Sequence, residues 1–256
     1  MKVLVCVKRV PSPGSLINIT ADGQDVDAAH LGFAMSPHEE CAVEEAIQLV
    51  EQHGGESTVL TVGPPEAEEQ LRYSASLGVQ RAVLVRTDGQ PWDPQRTAQV
   101  ISTAIETIEA TNGPFDLILF GNESADAGGF QVGVRVANSL DRPMVNAIKD
   151  IEVDQDASTC TAKREVDGGR EVYQLPTPAV LGVKEGLNLP RYPTMKGRLA
   201  SKKTEVAVLD IPSQPGGQQR LCLAQPPTKT SNTITLGEGP AAAPAVVDLL
   251  EQLGLL

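Results

Sequence analysis

Aromatic residues are scarce in this chain of 256: one Trp, three Tyr and four Phe make up 3%. Any core must therefore be aliphatic, as it is where helices pack on a parallel sheet. The 41% hydrophobic content is enough to build one. Cysteine is sparse as well. Cys6, Cys41, Cys160 and Cys222 stand far apart with no C-x-x-C pair, which implies no disulfide framework and argues against thiolate metal or iron–sulfur ligation. Cys6, inside an apolar run, reads as a small core residue. Positive charge is in deficit, since 21 Lys and Arg face 33 Asp and Glu for a formal net charge of -12. That balance disfavours nucleic acid or an anionic membrane as the main partner. No apolar run is long enough to insert into a bilayer, and MKVLVCVKRV regains charge too soon for a signal peptide, so a cytoplasmic location is expected. Walker A and G-x-G-x-x-G patterns are both missing, which weighs against ordinary P-loop and Rossmann sites.

What is present is organised around Phe115 to Val134, FDLILFGNESADAGGFQVGV. Leu117 to Phe120 is an unbroken apolar run of the kind found in strands covered on both faces. It breaks into Gly, Asn, Ser, Asp and Gly before Val132, Val136 and Leu140 resume at helical spacing. Such a strand-to-helix turn leaves main-chain N–H groups free at the strand's carboxyl end, a seat for phosphate. The same pattern also serves plain connections where nothing binds, so the turn by itself leaves both readings open.

Around this stretch the chain alternates. Val3–Val7, Ser57–Val62 and Ala82–Val85 read as strands, separated by helical patterns from Pro37, from Glu66 and over Gln95–Thr111. Ser36 is the expected N-cap and Pro37 the first residue of its helix. Alternation of this kind predicts a parallel sheet with helices on both faces. His38 is open to two readings, a ligand contact or a surface residue at a helix start. After Pro143 the texture turns to strands: Ile148–Val153, Cys160–Arg164, a hairpin turn at Asp167-Gly168-Gly169, Val172–Leu175 and Ala179–Val183, expected as an antiparallel addition at one edge. Leu187–Lys203 is rich in Pro, Lys and Arg, and is either a solvated loop or a docking segment with Tyr192 and Met195 as apolar anchors. From Asp210 to Pro240 there is no sustained periodicity, and a short apolar helix is expected from Ala245. The expected division is an α/β domain over 1–209 and an extended arm over 210–256.

Several separated motifs keep a familiar order. Lys8-Arg9-Val10-Pro11 follows the first strand; Ser36-Pro37, Glu39 and Ala42-Val43-Glu44-Glu45-Ala46 open the first helix. The hairpin reads Ala162-Lys163-Arg164-Glu165-Val166-Asp167-Gly168-Gly169, and Leu187-Asn188-Leu189-Pro190-Arg191-Tyr192-Pro193 and Lys202-Lys203 come later. Together, from Met1 to about Leu209, they resemble the β subunit of electron transfer flavoproteins.

The resemblance implies an adenine nucleotide α-hydrolase-like core and an obligate α subunit that holds most contacts to a shared FAD. It implies a buried AMP in this chain, or a second FAD if the chain is of the electron-bifurcating kind. By position, that nucleotide would touch Cys6, Ser36, Pro37, His38, Glu39, Val62 and the turn of Gly121, Asn122, Glu123, Ser124, Ala125, Asp126, Ala127, Gly128, Gly129, Phe130, Gln131 and Val132. Phe130 and Val132 stand where AMP-binding members usually carry Asn and Thr, so phosphate binding would rest more on main-chain N–H groups, and AMP, FAD or an empty site all stay open. Tyr192, Met195, Lys196 and Arg198 would form the loop that grips acyl-CoA-type flavoprotein dehydrogenases, as in fatty acid oxidation, and Glu165 would pair with the mobile flavin domain. Electrons would pass on to a quinone oxidoreductase or ferredoxin-type acceptor. The chain would be a carrier and not an enzyme, since no nucleophile, base and orienting group come together. The rival is a non-redox adenine-nucleotide-binding protein of the stress type.

Overall fold

The molecule grows outward from strand β1 (Lys2–Val7), all but one of whose residues are buried. The computed structural model describes residues 1–154, 156–227 and 233–256. After β1 come the two-residue strands β2 (Val10–Pro11) and β3 (Phe33–Ala34), which pair with each other across a polar excursion. Within it, Ile19 and Val26 bridge around Asp22-Gly23, the expected turn, where Gly23 adopts φ +68°.

Helix α1 (Pro37–His53) follows, then β4 (Glu56–Gly63), α2 (Glu68–Leu77), β5 (Arg81–Arg86), α3 (Pro94–Asn112), β6 (Leu117–Gly121) and α4 (Val132–Ser139). The second half contributes β7 (Met144–Val153), β8 (Thr159–Val166), β9 (Gly169–Pro176), β10 (Ala179–Val183), α5 (Met195–Ser201), β11 (Val206–Leu209) and α6 (Ala243–Gln252).

One nine-stranded sheet runs β11-β5-β4-β1-β6-β10-β7-β8-β9. Period-two alternation sends successive side chains to opposite layers. Val3, Val5 and Val7 pack with α1 and α2 residues, whereas Leu4 and Cys6 pack with α3 and α4 residues. The chain is thus an α/β fold with helices on both faces of a mostly parallel sheet.

The antiparallel addition consists of β8 and β9, laid against β7. Strand β10 is not part of it. It inserts between β6 and β7, parallel to both, and every residue of it is buried. Its sequence, AVLGV, is apolar without alternation, which is the mark of an interior parallel strand. The segment 187–203 is more ordered than its composition suggests, because α5 forms within it and β11 then adds a parallel edge strand beside β5.

Beyond β11 the arm folds back on the domain. Asp210 pairs with Arg86, Ser213 accepts from Arg96, and the Gly216 N–H donates to Asp93. The Leu223 N–H then donates to the Gly23 carbonyl at 2.7 Å. Residues 228–232 of the expected arm lie outside the described residues. Helix α6 leaves Val246, Val247 and Leu249 exposed.

Candidate functional site

Strand order reverses between β1 and β6. From β1 the chain crosses through α1 to β4 on one side, and from β6 it crosses through α4 on the opposite face of the sheet. The crevice outside the carboxyl ends of two such strands is where open α/β sheets receive ligands. Cys6 pairs in register with Phe120, so the loop after β1, the turn after β6 and the start of α1 converge there.

The convergence is tight. A Cβ on Gly121 would lie 2.7 Å from Glu39 Cγ and 3.3 Å from His38 Cβ, so only glycine lets β6 pass the first turn of α1. Glu39 is 5% exposed, and its carboxylate accepts from the Ser36 N–H at 3.1 Å. Burial lifts its pKa from the ordinary 4.5 to about 8, although the main-chain N–H groups of Ser36 and Lys8 and the charge of Lys8 pull the other way. Burial also pushes the Cys6 thiol up, with Glu39 adding to it, so Cys6 is an inert core thiol.

Ser36 is fully buried, and its hydroxyl is 3.5 Å from the Glu123 carbonyl. His38 Nδ1 accepts from the Glu185 N–H at 2.7 Å, which leaves Nε2 to face Glu123 Oε1 at 3.5 Å. Across the mouth, Lys8 Nζ meets Asp126 at 2.5 Å. Burial works against ionisation of Asp126, but Lys8 and hydrogen bonds from Ser124 and Ala127 hold its carboxyl below the usual range.

The turn is anchored at its start and open at its end. Asn122 donates its N–H to Val183 at 2.8 Å, and its Oδ1 accepts from Ala147 at 2.9 Å. Ala147 sits at φ +60°, beside the register shift in β7. Ala125, Asp126, Ala127 and Gly128 are exposed, and Gly128 and Phe130 both adopt φ +54°. The first N–H groups of α4 have no acceptor within their own helix and face this turn. Val62 and Val132 pack with Cys6 in one apolar cluster, forming the floor.

The main-chain donors at the start of α4 and the apolar Val62 and Val132 suit an anionic nucleotide, for whose phosphate Lys8 would exchange Asp126. An FAD or AMP held here would meet the α4 N-terminus and Lys8 through phosphate, and the Val62 side through its apolar face.

The model of the electron transfer flavoprotein domain matches residues 26–214. The electron transfer flavoprotein subunit beta of Syntrophomonas wolfei is 36% identical over 233 residues, 90% of this chain and 88% of that protein. Its namesake in Bacillus subtilis is 32% identical over 98% of this chain and 97% of that protein. That of Mycobacterium bovis is 34% identical over 82% and 79%. The chain belongs to the electron transfer flavoprotein β-subunit family.

As the fold of this electron transfer flavoprotein chain has it, the remaining expected residues form two separate groups. Tyr192 and Met195 are 90% and 75% exposed, and Lys196 and Arg198 stand with them on or beside α5, which packs on α2. Glu165 lies on β8, near the other end of the strand order, and pairs with Lys149 at 3.0 Å. That pairing holds the Glu165 carboxyl below its usual range. No helix among the described residues is long and apolar enough to cross a membrane.

Some neighbours at this junction escape a reading by motif. Lys8 is visible as part of a motif, but its pairing with Asp126, 118 residues away, is not. Nor is the contact between Glu185 and His38, made by a main-chain N–H that carries no sequence signal.

Proposed function

We propose that this chain is the β subunit of an electron-carrying heterodimer. With an α subunit it encloses one FAD, and it binds AMP, or a second FAD, in the crevice between β1 and β6. The observation that supports this most directly is the strand-order reversal between β1 and β6, where the loop after β1, the start of α1 and the turn after β6 converge, in a chain of this family. The flavin supplies the redox chemistry when bound. This chain's residues hold and orient: Lys8 and the α4 N-terminus face phosphate, Ser36 and Glu39 fix the start of α1, and the Glu185 N–H holds the His38 ring in one orientation.

The electron donors are flavoprotein dehydrogenases of the acyl-CoA type, docked on Tyr192, Met195, Lys196 and Arg198. The acceptor is a quinone oxidoreductase or a ferredoxin-type protein. Met195 is unbranched and polarisable, which suits a carrier that meets several dehydrogenases. Local positive charge on Lys196, Arg198, Lys202 and Lys203 steers encounter despite the net acidity. Glu165 faces the flavin-bearing part of the α subunit.

The test is co-expression with the α subunit. The purified pair should be yellow and should be reduced by a dehydrogenase and its substrate. A colourless pair, or one that only a chemical reductant can reduce, would defeat the reading.

A further inference from the structure

The segment 187–203 presents apolar side chains to solvent, with Leu189 89%, Tyr192 90%, Met195 75% and Leu199 61% exposed. Surface segments of that kind are commonly mobile. This one is held at both ends.

On its first side, the Arg191 guanidinium is forked between two carboxylates of α1. Nε and Nη2 donate to Glu44 at 2.9 and 3.0 Å, and Nη1 and Nη2 donate to Glu51 at 2.7 and 2.9 Å. The main-chain N–H of Arg191 adds a bond to Glu44 at 3.1 Å. Glu44 and Glu51 fall on one face of α1, two turns apart, and Glu44 is only 3% exposed. Nearby, Asn188 Nδ2 donates to Glu45 at 2.9 Å and to the Cys41 carbonyl at 3.0 Å.

The second hold is at the end of α5. Arg72 on α2 donates to the carbonyls of Ser201, the last residue of α5, and Thr204, just beyond it, at 3.2 and 3.1 Å. Between the two holds, Gly197 lies against the Ser76 carbonyl with no room for a side chain.

We infer that Arg191 is the positioning residue of dehydrogenase docking: its fork to Glu44 and Glu51 fixes Tyr192, Met195 and Leu199 in place before the partner arrives. The inference rests on the docking role proposed above for this segment. A segment already ordered loses less conformational freedom on binding, so the gain appears as affinity. Lysine is a poor substitute, because a single ammonium cannot span both carboxylates as a planar fork does.

The test uses the flavin-loaded heterodimer as the substrate of its dehydrogenase. Arg191→Lys should raise the KM for the carrier about tenfold while kcat stays within about twofold, which is the signature of weakened binding. Tryptic cleavage after Lys196 and Arg198 should quicken. Reduction of the flavin by dithionite should not change, and any fall in melting temperature should stay small, because lysine still pairs with the buried Glu44. Arg72→Gln, away from Glu44, should shift KM in the same direction and serves if Arg191→Lys does not assemble. Met195→Ala separates the two levels. A KM unmoved by Met195→Ala would defeat the docking role itself. A KM raised by Met195→Ala but unmoved by both arginine variants would overturn only the positioning role. So would a joint fall in kcat, melting temperature and dithionite reduction, which marks a general structural defect.

Discussion

Gly121 and Glu39 meet across the crevice so closely that a single methyl group on the glycine would stand 2.7 Å from the Glu39 side chain and 3.2 Å from its main-chain nitrogen. The second of these contacts is to backbone and cannot be relieved by a rotamer. Gly121→Ala should therefore push β6 away from α1. It should cost about 1–3 kcal/mol of stability, the usual range for overpacking. Thermal unfolding measures the first effect, and retention of nucleotide after gel filtration measures the distortion of the crevice. A variant with unaltered melting and full nucleotide would show that the junction has slack.

Glu39 makes stability depend on pH in an unusual direction. Its carboxyl is raised to about 8 in the folded chain from an ordinary 4.5. Between those values the folded state holds a proton that the unfolded state releases, so stability from this group is full below about 4.5, falls as pH rises, and is spent above about 8. Glu39→Gln, which stays neutral, should flatten that decline. Chemical denaturation from pH 5 to pH 9 checks it; parallel pH profiles for the two proteins would contradict the assignment.

The pair of Glu44 and Arg191 acts with the opposite sign. Burial alone would raise the Glu44 carboxyl, but hydrogen bonds from Arg191 and Gln48 outweigh it and bring the value below 4.5. A depressed carboxyl contributes stability above the unfolded value and loses it as pH falls through the folded one. The segment at 187–203 should thus loosen in acid before the sheet does. Glu44→Gln should weaken that early step, leaving the part due to Glu51, and cost about 2 kcal/mol, below the full cost of breaking a buried pair because Arg191 keeps Glu51 and some solvent. Hydrogen exchange of residues 188–200 against pH reads it directly.

Helix α6 exposes Val246, Val247 and Leu249, and the residues just after it expose Leu253, Leu255 and Leu256. Apolar side chains gathered on one short helix at the end of an arm suggest a partner surface. Removing residues 243–256 should leave the sheet's unfolding unchanged and weaken association with the α subunit. Sedimentation of the mixed subunits tests it, and an unaltered dissociation constant would show that α6 is dispensable.

The parallel half of the fold was legible because β1, β5 and β6 carry apolar runs, β4 is rich in β-branched residues and the helices carry 3.6-residue stripes, with Ser36-Pro37 marking the start of α1 as expected. The place of β10 was not. AVLGV announces a buried strand but says nothing of its neighbours, and its insertion between β6 and β7 is set by tertiary packing. Helix α5 was missed for a similar reason. A seven-residue helix among prolines and lysines has little propensity of its own and is stabilised by Thr194, Arg72 and the face of α2. At the crevice, the glycine-rich turn and the helix start were visible as types. Which partners they meet, such as Lys8 with Asp126 and Asn122 with Ala147, depends on chain crossings that spacing does not encode.

The central claim is that this chain's crevice holds an adenine nucleotide beside a flavin shared with its partner. The heterodimer should be purified without added nucleotide and denatured, and the released compounds identified and counted by chromatography and mass. Flavin together with AMP, or flavin at twice the heterodimer, is the expected result. A heterodimer that releases flavin once and no second nucleotide would contradict the crevice assignment, and one that releases neither would contradict the whole account.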